Sequence, residues 1–184
     1  ARDEDKNYYY LVGATNSEGS GLSDGLIVKY DADMKLTASR IFGRSRQDYF
    51  RAASVSGDYK YIYVVGDGGV DGYEGSVGLI NIFADDLSII NQQYLAFQGK
   101  GNIVINKLAL DWKNNDLYLV GYTTEEGQGK KDALIIKLHR LDKDFTVTAA
   151  STFGGAQDDF FTDVEISNGY IYASGETSSE GAGG

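Results

Sequence analysis

The chain has 184 residues, a formal net charge of −10 and an apolar content of 42%. This apolar fraction is too high for a disordered acidic polymer, and the negative charge argues against general nucleic-acid binding, which needs dense Lys and Arg. The chain contains no cysteine, which excludes a disulfide scaffold, a zinc–thiolate site, a cysteine nucleophile and an iron–sulfur cluster. No run approaches the roughly eighteen apolar residues of a membrane-spanning helix, so we expect no membrane span.

The residue composition predicts a single all-β domain over residues 1–184. The 24 glycines, 14 tyrosines and 8 phenylalanines favour strands separated by turns over helices. There is no proline, so we expect glycine, asparagine and aspartate to form the turns.

The first strand predicted in chain order, Tyr8–Val12, ends at a glycine that recurs along the chain. The four recurring glycines are Gly13, Gly66, Gly121 and Gly175, and we call them the anchor glycines. Five and six residues after them come an acid and a second glycine: Glu18-Gly19, Asp71-Gly72, Glu126-Gly127 and Glu180-Gly181. A self-similar period of about 54 residues is typical of a solenoid or propeller array, in which each unit buries its apolar faces against its neighbours.

Each full period carries four predicted strands. In the third copy, the aromatic strand Leu117–Val120 precedes the anchor glycine and the apolar strand Asp132–Lys137 follows the acid–glycine pair. The next strand ends at a phenylalanine, which is Phe42, Phe97 or Phe153 in the successive copies. A fourth strand begins six residues after Phe42 and Phe153, at Asp48 and Asp159. Short apolar runs of this kind indicate strands that are buried on both faces. The copies lie near residues 8–59, 60–115, 116–169 and 170–184.

Residues 117–161 carry the repeat pattern most completely. They contain Leu117-Tyr118-Leu119-Val120-Gly121-Tyr122-Thr123, then Asp132-Ala133-Leu134-Ile135-Ile136-Lys137-Leu138, then Phe153-Gly154-Gly155-Ala156-Gln157-Asp158-Asp159-Phe160. This pattern resembles the seven-bladed β-propeller repeat family of secreted bacterial and archaeal proteins. The first copy departs from it at Gly43-Arg44, and the second at Phe97-Gln98-Gly99. The resemblance implies a β-propeller of four-stranded antiparallel blades and an extracellular or cell-surface location. It provides no catalytic residues to transfer to this chain. We also expect no metal site and no cofactor.

The number of predicted blades is small for a closed ring. A self-contained propeller usually has about four to eight blades, and this chain supplies strands for about 3 to 3.5. We expect two whole blades and a third assembled from the first and last copies. The chain is therefore interpreted as a propeller segment, either a fragment of a larger propeller or one share of an assembly that closes between chains.

Arginines mark the place where the copies differ most. Arg40, Arg44, Arg46 and Arg51 fall in the passage from the outer strand of the first copy to the next inner strand. In propeller topology this connection lies on the same face as the acid–glycine turns. A basic island in an acidic chain is suited to bidentate binding of a carboxylate, a phosphate or an acidic partner. The alternative is that these arginines form ion pairs with neighbouring Asp and Glu.

The remaining candidates have structural alternatives of their own. Trp112 follows a predicted strand and is either exposed for stacking on a sugar or packed between blades. The acid–glycine pairs are interpreted as turns with glycine at positive φ, and a cation-binding ring of carboxylates is the alternative. The acidic loop Asp67–Glu74 is a candidate calcium site, because calcium takes several oxygen ligands. Its spacing, however, matches neither the EF-hand nor the nonapeptide calcium repeat. His139, the only histidine, has no matched ligands for zinc and no triad motif, so we expect it to pack at a strand end.

The expected function is that of a non-enzymatic structural or adhesive module that contacts a protein partner or assembles with itself. One alternative is a lectin-like propeller that binds glycans through exposed aromatic residues such as Trp112. Another is part of a propeller hydrolase or lyase whose catalytic residues lie partly outside this chain. The fold alone does not choose among them, because propellers carry out all three kinds of function.

Overall fold

The structure confirms an all-β fold of antiparallel sheets. It is a computed structural model, and it describes residues 1–20, 22–97, 100–125, 127, 130–141 and 143–179. These residues contain fourteen strands and no helix. Within the same ranges, no helix is long and apolar enough to cross a membrane.

The strands form three four-stranded units and a final hairpin. In chain order they are β1 (Arg2–Asp3), β2 (Tyr8–Thr15), β3 (Asp24–Tyr30), β4 (Leu36–Phe42), β5 (Asp48–Val55), β6 (Tyr61–Gly68), β7 (Gly75–Ala84), β8 (Ile89–Leu95), β9 (Gly101–Asp111), β10 (Asp116–Thr123), β11 (Asp132–Leu141), β12 (Asp144–Phe153), β13 (Asp159–Ser167) and β14 (Tyr170–Thr177). We call β1–β4 unit 1, β5–β8 unit 2, β9–β12 unit 3 and β13–β14 the terminal hairpin. The first strand of each is its leading strand.

Each unit is an antiparallel meander in which consecutive strands pair. Units 2 and 3 join into one eight-stranded sheet through a short parallel pairing of β7 with β9, Gly75 with Gly101 and Ser76 with Asn102. The first unit has its own leading strand, β1, which pairs Arg2 with Tyr9 and Asp3 with Tyr8. The terminal hairpin forms a separate two-stranded sheet. The blade expected from the first and last copies together is therefore not formed by the described residues.

The units pack face to face, and each middle strand contributes to two interfaces. Side chains alternate across a strand, so β6 buries Ile62 and Val64 against unit 1 and buries Tyr63 and Val65 against unit 3. These four side chains are at most 2% exposed. The strand β10 repeats the arrangement, with Leu117 and Leu119 towards unit 2 and Tyr118 and Val120 towards the terminal hairpin. Burial on both faces, predicted from the sequence, is confirmed for β6 and β10.

The strand that carries the anchor glycine differs between the ends and the middle of the chain: β2 and β14 are unlike β6 and β10. In β2, Tyr10 is buried against unit 2, while Leu11 on the opposite face is 48% exposed. Every residue of β14 is exposed, including Tyr170 and Tyr172. The prediction of burial on both faces is wrong for these two strands, because no described unit packs against their far faces.

Most turns after the leading strands use the expected residue type. Asn7, Asn115 and Asn168 have φ of 61°, 56° and 52° there, a conformation that asparagine tolerates. In unit 2 the residue with positive φ in the corresponding turn is Tyr59, with φ of 55°. The Ser56 Oγ holds this turn by accepting bonds from the backbone nitrogens of Lys60 and Tyr61, at 2.9 and 2.8 Å.

Candidate functional site

A one-residue bulge occurs at the same place in three leading strands. The pairing of β5 with β6 shifts around Arg51, that of β9 with β10 around Asn106, and that of β13 with β14 around Thr162. A bulge residue stays outside the regular ladder and bends its strand locally. Units 2 and 3 and the terminal hairpin therefore share a distortion that the repeat pattern of the sequence does not reveal.

The bulge explains three of the four anchor glycines, Gly66, Gly121 and Gly175. A Cβ added to Gly66 would lie 1.8 Å from the carbonyl oxygen of Tyr49, and one added to Gly121 would lie 1.8 Å from that of Val104. The distance for Gly175 is 2.0 Å, from the oxygen of Phe160. Real Cβ atoms do not approach a backbone oxygen so closely, so only glycine fits beside the bulged strand.

In two of the leading strands, β5 and β13, an aspartate at the first position closes the connection from the preceding unit. Asp48 Oδ2 accepts a bond from the backbone nitrogen of Arg44 at 2.9 Å, and Asp159 Oδ2 accepts one from that of Gly155 at 3.0 Å. Both aspartates are 0% exposed. A side-chain carboxylate that accepts from a nearby backbone N–H fixes a turn. These two residues therefore hold consecutive units together.

The side chain of Arg44 also bonds within the connection from unit 1 to unit 2. Its Nη2 lies 2.8 Å from Asp48 Oδ1, so the carboxylate accepts from both the backbone and the side chain of the same arginine. The guanidinium also lies 4.7 Å from the centre of the Tyr94 ring on β8. Arg44 thus links the end of unit 1 to unit 2.

Arg46 lies beside the acid–glycine turn of unit 2. Its Nη1 donates to the carbonyl oxygen of Tyr73 at 3.1 Å, and its Nε lies 3.7 Å from Asp71 Oδ1. The hydroxyl of Ser45 reaches the same Asp71 oxygen at 3.3 Å. The arginine-bearing connection and the acid–glycine turn therefore lie side by side, as the sequence led us to expect.

Arg51 and Arg40 have other partners. Arg51 Nε forms an ion pair with Asp67 Oδ1. Burial raises the pKa of Asp67, and the hydrogen bond from Arg51 offsets this only in part. Arg40 Nη1 donates to the carbonyl oxygen of Leu87 at 3.2 Å, which ties unit 1 to the β7–β8 turn. Each of the four arginines thus has a protein partner, and the ion-pair alternative accounts for three of them, while ligand binding by them stays a prediction.

The acid–glycine turns have the predicted backbone conformation where they are described. Gly19, Gly72 and Gly127 have φ of 119°, 85° and 116°. Asp24 packs against the first of these turns, since a Cβ on Gly19 would lie 1.7 Å from its Oδ2. A Cβ on Gly43 would lie 1.4 Å from the other oxygen of Asp24, so this carboxylate fits between two glycines. The predicted acids Glu126 and Glu180, and Gly181, lie outside the described residues.

The acids of the loop between Asp67 and Glu74 point to separate partners. Asp67 pairs with Arg51 and Asp71 with Arg46, while Glu74 Oε2 lies 2.5 Å from Lys100 Nζ. Among the described residues, no group of three or more His, Asp or Glu side chains is arranged to hold a metal ion.

Trp112 lies between units 2 and 3. Its ring centre is 6.0 Å from that of Tyr63, and the guanidinium of Arg140 lies 5.4 Å from its ring. A Cβ on Gly57 would also contact this ring, at 3.1 Å. Trp112 is half-buried against the core between the two units. These contacts match the packing interpretation of Trp112, and sugar stacking at this residue stays a prediction.

His139 belongs to a small charged network at the start of β10. Its Nδ1 lies 2.8 Å from Asp116 Oδ1, and Lys137 Nζ lies 2.8 Å from the other oxygen. Burial raises the pKa of Asp116, but the bonds from Lys137 and His139 outweigh it and leave the pKa below its ordinary value. The network joins adjacent strands β10 and β11 and matches no catalytic triad.

An open cavity of about 580 Å³ lies where β5, β9 and β13 face one another, and we call it the central cavity. Its lining includes the three bulge residues Arg51, Asn106 and Thr162. The other lining residues are Phe50, Tyr122, Lys131 and Phe160. Sequence reasoning singled out Arg51 but missed Asn106 and Thr162. Arg51 and Asn106 stand 15 residues before their anchor glycines but Thr162 stands 13 before its own, so aligning the copies on these glycines does not show that the three residues are equivalent.

Asp159 allows a pH-dependent test of how the terminal hairpin is closed. Hydrogen bonds from Ser179, Thr177 and the backbone of Gly155 lower the pKa of Asp159 from 3.8 to about 2. A folded-state pKa below the unfolded value means that the stabilisation is present above about pH 4 and is lost as the pH falls towards 2. We expect the urea midpoint of the wild type to fall more steeply over this interval than that of Asp159→Asn, which cannot titrate there. An equal dependence of the urea midpoint on pH in the wild type and in Asp159→Asn would contradict the lowered pKa of Asp159.

The structure defines the class of protein: an all-β chain of stacked antiparallel units, in which buried aspartates close the connection from unit 1 to unit 2 and that from unit 3 to the terminal hairpin. Comparison with models of known protein families gives no match, and comparison with curated proteins gives none either.

Proposed function

We propose that the chain is a β-propeller segment that acts as a non-enzymatic structural module, outside the cell or at its surface, and associates with copies of itself. Three features support a propeller: antiparallel four-stranded units, stacking of these units face to face, and the leading strands β5, β9 and β13, which meet around the central cavity. Propeller blades are built and arranged in this way. The residues that could suggest another function, such as Arg44 and Trp112, are engaged in contacts between units.

The two ends of the stack carry exposed apolar side chains. On the terminal hairpin, Tyr170 and Tyr172 are 70% and 58% exposed. On unit 1, the exposed Leu11 pairs with Val28 across β2 and β3, so the two side chains lie on one face. An uncovered end of a repeat stack favours association, because the same kind of surface is buried at every internal interface.

The exposure of Tyr172 is the observation that carries the proposal. Tyr172 stands three residues before its anchor glycine, the position that Tyr63 holds in unit 2, where it is 0% exposed and packs against unit 3. Leu11 likewise holds the position of Val64, which is buried against unit 1. Unit 1 of a second copy placed on the hairpin would therefore repeat an interface that the chain already makes internally. Such a contact is head-to-tail, and it produces a closed ring or an open filament.

Sedimentation velocity over a concentration series tests this proposal. We expect the wild-type mass to rise above 20.0 kDa with concentration. The variant Tyr172→Asp should weaken association by about tenfold or more, because a charge would be buried at the centre of the contact. Met34→Asp is the matched control, since Met34 is 61% exposed in the β3–β4 turn and belongs to none of the strands that carry the end faces.

Two results would refute self-association through the ends. One is a wild-type monomer at every concentration. The other is equal association of the wild type and Tyr172→Asp, which would show that the contact lies elsewhere on the surface.

A further inference from the structure

The lining of the central cavity is cationic, although the chain as a whole carries a net charge of −10. The described residues that line it include two cations, Arg51 and Lys131, and no Asp or Glu. The volume of about 580 Å³ lies within the range of small-molecule sites, roughly 300–1,000 Å³. The described lining residues fall between Phe50 and Thr162, well inside the chain. The cavity is therefore suited to an anionic ligand of small size.

The ion pairs of Arg51 and Lys131 leave donors for such a ligand. Arg51 pairs with Asp67 through Nε, so both Nη groups keep their donors. Lys131 Nζ lies 3.3 Å from Asp158 Oδ2, and these two side chains are 38% and 39% exposed, so the pair is a weak one. Because an aspartate offsets part of each positive charge, the cavity suits a monoanionic carboxylate better than a phosphate, which carries about 1.5 to 2 negative charges at neutral pH.

The other two bulge residues offer hydrogen-bond acceptors. Asn106 Nδ2 donates to the carbonyl oxygen of Phe161 at 2.8 Å, which leaves the Oδ1 atom as an acceptor. Thr162 Oγ1 donates to the carbonyl oxygen of Ser174 at 3.2 Å and keeps its lone pairs. A ligand that satisfies these acceptors carries hydroxyl groups.

Aromatic side chains form apolar walls beside the polar groups. Phe50 is 3% exposed, and Tyr122 and Phe160 are half-buried. Lys131 Nζ lies 5.2 Å from the centre of the Tyr122 ring, so a positive charge and an aromatic ring adjoin. Aromatic rings pack against C–H groups such as those of a sugar ring. A carboxylate and several hydroxyls on a C–H framework are the groups of a hexuronic acid.

We propose that the central cavity is a binding site for a hexuronate, the acid form of a hexose. Arg51 and Lys131 bind the carboxylate, with the Nη groups of Arg51 placed to donate as a fork. Asn106 and Thr162 accept bonds from hydroxyls, and the aromatic walls contact the ring. This site goes beyond the structural role proposed above, and it involves none of the residues of the two end faces. Hexuronate binding and self-association therefore stand or fall separately.

The test titrates glucuronate into the protein while backbone amide shifts are recorded by NMR. We expect saturable shifts at the residues that line the central cavity. Glucose has the same ring without the carboxylate and should bind about tenfold more weakly or not at all. Glucose phosphorylated at its primary hydroxyl should also bind more weakly than glucuronate. The proposal would be overturned by no saturable shift with glucuronate, by shifts only elsewhere, or by equal or tighter binding of either comparison sugar.

A short hexuronate oligosaccharide distinguishes the two sources of this ligand. Binding at least as tight as that of the monosaccharide would assign the cavity to a unit of an acidic polysaccharide. Loss of binding would assign it to the free sugar acid.

Lys131→Gln is the decisive variant. It should weaken glucuronate binding by about tenfold or more and leave the fold intact, because the ion pair that it removes is exposed. Lys60→Gln is the matched control, since Lys60 also forms an exposed ion pair, with Asp58 at 3.5 Å, but does not line the cavity. Its glucuronate affinity should stay within about twofold of the wild type. Wild-type affinity in Lys131→Gln would overturn the assignment of the cavity.

Arg51→Lys tests the second cation without leaving Asp67 unpaired. The variant keeps a positive charge beside Asp67 but loses the planar fork of the guanidinium. We expect glucuronate binding to weaken by about fivefold or more, with amide shifts outside the cavity unchanged. Wild-type affinity in this variant would contradict carboxylate binding by Arg51.

Discussion

Gly121→Ala should lower the free energy of unfolding by about 3 kcal/mol, at the upper end of what single substitutions do. The new Cβ would lie 1.8 Å from the carbonyl oxygen of Val104 and 3.1 Å from the nitrogen of Asn106, both backbone atoms that cannot rotate away. Either β9 or β10 must shift, and both strands belong to the core between units 2 and 3. Urea denaturation followed by circular dichroism measures the change.

Gly13→Ala is the control for this prediction. It makes the same chemical change at the same position of the repeat, but no bulged strand faces it in unit 1. We expect its stability to stay within about 0.5 kcal/mol of the wild type. Similar losses for the two variants would show that glycine is needed for the conformation of the strand itself rather than for the bulge.

Asp48→Ala is expected to destabilise the protein by about 3 kcal/mol. The substitution removes the acceptor for the backbone and the guanidinium of Arg44, and it leaves a partly buried cation without its counter-charge. It also opens the connection between units 1 and 2, so the loss should appear as separate unfolding of unit 1. Hydrogen exchange measured by mass spectrometry would detect this as faster exchange in β2–β4 than in β9–β12.

Asp71→Ala provides a matched comparison in the same region. Asp71 pairs with Arg46 at 3.7 Å, but its side chain is 85% exposed. Exposed ion pairs contribute little to stability, so we expect Asp71→Ala to lower the free energy of unfolding by less than about 1 kcal/mol. We also expect no separate unfolding of unit 1. An equal loss of unfolding free energy for Asp48→Ala and Asp71→Ala would mean that burial of Asp48 does not determine how much its bonds to Arg44 stabilise the protein.

Much of the architecture could be predicted from local sequence patterns. Alternating aromatic and β-branched residues located the strands, and the spacing of the anchor glycines gave the number of units. The glycines of the acid–glycine pairs, such as Gly19 and Gly72, could be assigned to turns because φ above zero favours glycine. The position of Trp112 after a predicted strand left both packing between units and sugar stacking open, and its contacts match the first.

Contacts between copies could not be predicted in the same way. A repeat period shows which residues are equivalent but not which of them meet across a unit boundary. The pairing of Arg44 with Asp48 and the hydrogen bond from Arg40 to the carbonyl oxygen of Leu87 depend on such boundaries. The short strand β1 was missed because Arg2–Asp3 has no apolar pattern and pairs only through its backbone. Tyr59 at positive φ was also unexpected, because a serine side chain, rather than the residue type at the turn, holds that conformation.

The bulges of three leading strands place chemically different side chains around the central cavity. Arg51, Asn106 and Thr162 hold one backbone position in unit 2, unit 3 and the terminal hairpin, yet one is cationic, one is an amide and one is a hydroxyl. A bulge residue stands outside the regular ladder, but each of these side chains still bonds to the protein: Arg51 to Asp67, Asn106 to the carbonyl oxygen of Phe161, and Thr162 to that of Ser174. All three residues line the central cavity. Changing one of them would therefore alter both the chemistry of the cavity and a bond that joins two strands.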